Sequence, residues 1–209
     1  MARKGLVYGV GRNDAEYDVY RTEVVNGKQK VVWRCPYYQK WIGILERCLC
    51  PKKQARNPTY KGCTVTEDWR YLSNFIKWVD SQHNKDWQNC EPDKDFLSVG
   101  NKHYSPDTVV FVPRKVNNFI IDSINKRGDY MIGVSCEPRS KKNPYLAQCS
   151  NPFGGSRRVG LFPTELEAHL AWQTKKHTYA CLLADLQTDE RVASRLREMY
   201  APDKDWTKV

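Results

Sequence analysis

PDKDFLSVGNKHYSPDTVVFVPRKVNNF, from Pro92 to Phe119, is the stretch whose reading decides the fold. It predicts an extended arm over Asp93 to Val99, a turn at Gly100-Asn101, and a polar loop closing on Ser105-Pro106-Asp107. The β-branched run Thr108 to Val112 predicts a strand. Pro113 then predicts the first position of a helix, where a fixed φ and a missing N–H cost nothing. Strand, loop, strand, helix is the order of a ββα unit. On the helix, Val116, Phe119, Ile120 and Ile124 fall at core spacing and leave Arg114, Asn117 and Asn118 on other faces.

Asp93-Lys94-Asp95 stands at the end of the first arm, Gly100-Asn101 and Tyr104-Ser105-Pro106-Asp107 in the loop, and Asn117-Asn118 on the helix. This order resembles the HNH (His-Me finger) endonuclease motif, in a degenerate form common in phage proteins. Arg47-Cys48 at a helix end, Tyr60-Lys61-Gly62, Glu67-Asp68-Trp69 and Asn74-Phe75 extend the resemblance over about residues 36 to 120. The resemblance implies hydrolysis of a phosphodiester with Mg²⁺ held by Asp93 and by the amide oxygen of Asn118, and with Asn101 ordering the loop. Such chemistry needs a hard cation on oxygen ligands and a base of near-neutral pKa to activate water. Lys94 stands at the position of the family's histidine. An ammonium of unperturbed pKa about 10.4 is a poor base unless strongly desolvated, and His103 in the loop is the other candidate for proton transfer. Two readings follow: a working nuclease, and a nuclease fold kept without its chemistry.

The 209 residues suit one large domain or two small ones, and the patterning favours two. A formal net charge of +10 and a pI near 9.2 point to a polyanionic partner, most often nucleic acid. Twelve Tyr and seven Trp among the basic residues can stack on such a polymer, although many must be core. No apolar run approaches the roughly 18 residues of a membrane span, and the N-terminus has no apolar signal region. The expectation is a cytoplasmic protein, in the bacterial host's cytoplasm if phage-encoded. Its eight cysteines are then reduced, and their scattered spacing shows no zinc-type pair of pairs. Gly9-Val10-Gly11 lacks the Gly-Lys-Ser/Thr of a nucleotide loop and predicts a turn.

Asn26-Gly27 between Tyr17–Val25 and Gln29–Trp33 predicts a hairpin. Pro36 opens a helix to about Cys50, with Tyr38, Trp41, Ile42, Leu45, Cys48 and Leu49 on one face, and Pro51 stops it. The basic stretch Lys52 to Gly62 reads as a loop that contacts phosphates or is simply solvated. Thr64 with Glu67 predicts a capping box for a helix burying Trp69, Leu72, Phe75, Ile76 and Val79 and ending near Ser81. Gln82 to Glu91 reads as a loop.

Lys126-Arg127-Gly128-Asp129 marks the expected boundary. Beyond it, Tyr130–Cys136, Tyr145–Ser150 and Arg157–Phe162 predict three short strands. Thr164 and Glu167 predict a second capping box, for a helix with Ala168, Ala171, Trp172, Tyr179, Leu182, Leu183 and Leu186 in a stripe. Thr188 predicts the cap of a last helix, Asp189 to Tyr200, with Val192, Leu196 and Met199 inward, and Ala201 to Val209 reads as a tail.

Met131-Ile132-Gly133-Val134, Tyr145, Gly160-Leu161-Phe162-Pro163 and the helix start Thr164 to Trp172 resemble the ethylene-response-factor (APETALA-two) DNA-binding domain over about residues 130 to 186. The resemblance implies a sheet lying in the major groove with a helix packed behind it. By position it assigns DNA contacts to Arg139, Lys141 and Lys142 in the first turn, Tyr145 and Gln148 on the second strand, and Arg157 and Arg158 entering the third. Strand alternation puts Tyr145, Ala147 and Cys149 on one face and Leu146 and Gln148 on the other, so these do not all reach bases.

The expected architecture is therefore α+β. It comprises an HNH-like domain with an N-terminal hairpin (1–127), a three-stranded antiparallel sheet on one helix (128–187), and a C-terminal helix and tail (188–209). The expected function is a phage-type protein binding double-stranded DNA and resembling a homing endonuclease. The competing reading is a non-catalytic DNA-binding regulator or an inhibitor of a host protein.

Overall fold

The computed structural model describes residues 5–120 and 129–207 as a mixed α+β chain in two compact units that divide between Val112 and Pro113. This division falls ahead of the expected boundary at Lys126, most of which lies outside the described residues, as does Ile124.

In the first unit, β1 (Tyr20–Val25) and β2 (Lys28–Arg34) form an antiparallel hairpin. Asn26 and Gly27 both take positive φ (53° and 72°), the turn geometry whose twist matches the strands. Helix α1 (Pro36–Leu49) buries Trp41, Ile44, Leu45 and Cys48. Pro51 ends it but also opens a second helix, α2 (Pro51–Arg56), since proline at N1 is as good a start as a stop. The basic stretch is therefore partly helical.

Thr64 caps nothing: Thr64–Val65 is a strand, β3, paired in parallel with β5 (His103–Tyr104). Helix α3 (Leu72–Ser81) starts later, after Tyr71, with no side-chain cap. Long-range strand pairing has here outcompeted a local capping motif. Strand β4 (Cys90–Asp93) pairs with β6 (Val110–Pro113), and Pro113 ends that strand instead of starting a helix.

The core of this unit is aromatic. Trp69 packs against Trp78 (4.5 Å) and Phe75 (5.2 Å), Trp78 against Phe111 (5.3 Å), and Trp41 donates its indole N–H to the Trp69 carbonyl (2.6 Å). Gly11 belongs to the same packing, because a Cβ there would lie 2.4 Å from Leu45 Cδ1. Close packing thus accounts for the second glycine of Gly9-Val10-Gly11.

The second unit begins with α4 (Arg114–Ile120), which buries Val116 and Phe119. Strands β7 (Val134–Cys136), β8 (Tyr145–Gln148) and β9 (Arg158–Phe162) form an antiparallel sheet in the order β7-β8-β9. Helix α5 (Glu165–Ala184) packs on it and opens with the capping box of Thr164 and Glu167. Helix α6 (Glu190–Met199) lies along α5, and its cap is Asp189, not Thr188, because the Asp189 carboxylate accepts the Arg191 N–H (3.0 Å).

The segment expected as a tail is docked as far as it is described. Trp206 stacks on Tyr200 at 4.9 Å, and the Gln173 amide donates to the carbonyls of Ala201 and Lys204.

Gly133 is where α5 comes closest to the sheet. Its φ is +81°, and a Cβ would sit 2.1 Å from Trp172 Cγ. Gly133→Ala is expected to cost about 3 kcal/mol, combining an unfavourable φ with overpacking. Denaturant unfolding checks this, and a loss below about 1 kcal/mol would show that Trp172 can move aside at little cost.

Candidate functional site

In the first unit the chain does not run extended from Asp93 to Val99. It turns at Asp93, whose Oδ1 accepts the backbone N–H groups of Asp95 and Phe96, each at 3.0 Å. A carboxylate taking two successive backbone donors makes a local turn that competes with a strand. The Asp95 carboxyl is a close electrostatic neighbour. Burial, reinforced by this carboxyl neighbour, pushes the Asp93 pKa up to about 6. Burial works in the same direction on Asp95, but its interactions with Asp93 and the Lys94 ammonium outweigh it and hold Asp95 below its ordinary value.

Lys94 is only 5% exposed, with Nζ 3.3 Å from Asp95 Oδ2 and over the Tyr104 ring at 5.8 Å. An ion-paired ammonium inside the loop has no lone pair with which to take a proton from water. Tyr104 is itself buried and meets the Arg47 guanidinium, which donates to the Pro92 carbonyl (3.3 Å) and lies 3.9 Å from the Glu91 carboxylate. Burial raises the Tyr104 pKa.

Asn101 holds the far side of the loop. Its amide donates to the carbonyls of Lys94 (2.7 Å) and His103 (2.8 Å), and its oxygen accepts the His103 N–H (3.2 Å). His103 is exposed, and its Nδ1 is 2.8 Å from the Thr64 hydroxyl. Asn118, exposed on α4, belongs to the second unit.

For Mg²⁺ the oxygen chemistry of Asp93 and Asp95 fits, since that ion keeps waters and takes one or two carboxylates together with substrate phosphates. A cation would then replace the proton on Asp93. No group of three or more His, Cys, Asp or Glu side chains converges among the described residues. The cysteines are free thiols, five of them buried, and burial lifts Cys48 to about 12.

In the second unit, Arg139, Lys141 and Lys142 lie exposed in the turn between β7 and β8, and Arg157 and Arg158 lie exposed at the turn into β9. The sheet register separates the other two candidates. Ala147 is fully buried opposite Val134, so its face looks onto α5; Tyr145 shares that face, half-buried beside Tyr130 at 6.2 Å. Gln148 points the other way, exposed, paired with Arg158 across an irregularity in the register and sharing the outer face with Ser135, Leu146 and Leu161.

The two basic turns sit at opposite ends of β8, whose four residues span about 13 Å. Between Tyr130 and Thr164 those five basic residues stand against one acid, Glu137. Sequence reasoning named Arg47 and Tyr104 as residues of the resemblance and did not single them out as packing partners of the Asp93 loop. Set against known protein families, curated proteins and solved structures, the chain matches none.

Proposed function

We propose that the chain binds double-stranded DNA through the outer face and basic turns of the β7-β8-β9 sheet, in the manner of the ethylene-response-factor domain it resembles, and that its HNH-like loop serves binding and not hydrolysis. The observation that carries this reading is the bracketing of β8 by two exposed basic turns. The strand between them, about 13 Å long, compares with a major groove about 12 Å wide, so a turn at each end can reach one phosphate backbone. Gln148 then faces the bases, where a side-chain amide pairs with adenine. Tyr145, turned toward α5, acts as packing.

Against hydrolysis stand the Asp93 oxygen engaged by two backbone donors and the Lys94 ammonium ion-paired inside the loop. One observation favours the nuclease reading: the Asp93–Asp95 carboxyl pair, which a divalent cation suits. Asp93 and Asp95 would hold Mg²⁺, which when bound supplies the charge that stabilises a phosphodiester under attack. His103 is then the exposed group left to move a proton.

The test is duplex binding at several salt concentrations, with supercoiled plasmid, Mg²⁺ and a chelator control in parallel. Arg157→Ala with Arg158→Ala is expected to weaken binding and to lower the log–log salt slope by about 2, since each phosphate contact contributes about 0.9. Unchanged affinity and slope would remove the sheet as the DNA face. Nicking that requires metal and vanishes in Asp93→Ala would replace binding by catalysis as the role of the loop.

A further inference from the structure

The β1-β2 hairpin is covered on neither face. Every residue of both strands is exposed except Val25, which is half-buried, and the ribbon joins the unit at its base, where Cys35 N–H donates to the Val19 carbonyl (2.8 Å) between two buried side chains. An isolated two-stranded hairpin is marginal in water, and one carrying Val24 at 71% exposure, with Val31 and Val32 at 49%, leaves apolar surface uncovered. The register sorts its side chains. Arg21 opposite Trp33, Glu23 opposite Lys30 and Val25 opposite Lys28 share one face; Tyr20 with Arg34, Thr22 with Val31 and Val24 with Gln29 share the other. Arg21 lies over the Trp33 ring at 4.9 Å. Four basic residues, Arg21, Lys28, Lys30 and Arg34, meet a single acid, Glu23.

We propose that this ribbon is a second nucleic-acid contact, an arm that lies in the groove of a DNA duplex with Arg21, Lys28 and Lys30 toward the phosphates. The proposal rests on the reading of the chain as a DNA-binding protein and gives the first unit its own hold on the same polymer. Dimensions support it. Six residues reach about 20 Å, and a two-stranded ribbon with its side chains fits the major groove. Charge chooses the occupant: two copies stacking on the face of Arg21, Lys28 and Lys30 would bring like charges together, whereas a polyanion neutralises them. The exposed valines on the opposite face are of the kind that touch thymine methyl groups. Trp33 matters here because Trp41, Trp69, Trp78, Trp87 and Trp172 are all buried and Trp206 is half-buried, so it is the tryptophan most open to a ligand.

The experiment compares the full chain, Lys28→Ala with Lys30→Ala, and Arg157→Ala with Arg158→Ala for binding to one duplex across a salt series, with thermal unfolding of each. The ribbon variant is expected to keep its Tm, bind about tenfold more weakly near 100 mM salt, and show a slope lower by about 2. Loss in both variants supports the arm and the sheet together. Loss in the ribbon variant alone supports the arm and overturns the sheet as the DNA face. Loss in the sheet variant alone overturns the arm and leaves DNA binding standing. A native chain that binds no duplex overturns both. A concentration-dependent dimer that dissociates in the ribbon variant while DNA affinity holds overturns the arm and leaves the sheet standing.

Discussion

Asp93→Asn is expected to fold and, above pH 6, to exceed the native chain in stability by up to about 3 kcal/mol, whereas Asp93→Ala is expected to lie about 2 kcal/mol below the native chain at pH 7 and further below it at pH 4. The asymmetry follows from what the side chain does. Its Oδ1 accepts the N–H groups of Asp95 and Phe96, an acceptor that asparagine keeps and alanine deletes, leaving two donors at a half-buried turn without a partner. Asparagine also offers an N–H toward the neighbouring Asp95 carboxyl, where the native chain holds a proton on Asp93 below about pH 6. The folded pKa of about 6 lies above the ordinary 3.8, so between these values the folded chain holds a proton that the unfolded chain has released. Stability therefore falls as pH rises through this window, and asparagine, with no proton to lose, escapes the fall. The full shift corresponds to about 3 kcal/mol, and the lowered pKa of Asp95 acts below this window. Denaturant unfolding from pH 4 to pH 7 should show the gap between Asp93→Asn and native opening up to pH 6 and then levelling. If Asp93→Asn falls as far as Asp93→Ala at pH 7, the turn is not what Asp93 supports. A Tm raised by millimolar Mg²⁺ in the native chain and unmoved in Asp93→Asn would show a cation taking the place of the Asp93 proton, which is the nuclease reading's requirement.

The same loop shows where local pattern ceased to determine structure. Asn26-Gly27 was legible because its positive-φ turn is decided by two residues, and the Thr164–Glu167 box was legible because nothing else competes for those atoms. Thr64 and Glu67 carry an identical spacing, yet Thr64–Val65 pairs with His103–Tyr104, a partner 39 residues away that no local rule anticipates. Asp93 was legible as a site residue, but its capture of two backbone donors, which ends the strand, depends on how the loop closes through Asn101. Lys94 was legible as the residue at the histidine position, and it is buried where Asp95 and Tyr104 meet it. On α5 the expected apolar stripe is only half right. Ala168, Trp172 and Leu183 are inside, but Leu182 and Leu186 are exposed, and His169, Gln173 and Lys176 occupy the buried face. Periodicity assigns faces by polarity, and here that face holds polar groups. His169 points Nδ1 at the Ile132 carbonyl (3.0 Å) and stacks on Trp172, while its Nε2 is buried without a partner.

Lys176→Met should expose the energetic consequence of that arrangement. Lys176 is 6% exposed; its ammonium donates to the Phe119 carbonyl and lies over the rings of Phe119 (3.8 Å) and Tyr200 (5.1 Å). Burial lowers its pKa from 10.5 to about 8, with the Cys149 thiol pulling weakly the other way. Between pH 8 and 10.5 the unfolded chain therefore binds a proton that the folded chain has released, so this residue adds stability as pH rises through the window and withholds it below. Cys149 and Tyr200, both raised by burial, act in the opposite sense, which is why the native chain must be read against the variant and not alone. The stability of native minus Lys176→Met is expected to rise by about 2–3 kcal/mol from pH 7.5 to 10.5. A difference that stays flat would mean that the amine is solvated in the folded chain. The consequence reaches function. Lys94 and Lys176 count toward the formal charge of +10 but are buried, so they add little to the field at the surface where a polyanion arrives. On the proposed reading, Lys176→Met is therefore expected to leave the salt slope of DNA binding unchanged, while Arg158→Ala, which likewise removes one formal charge, lowers it by about 0.9. On that reading, position and not the count of basic residues sets the affinity.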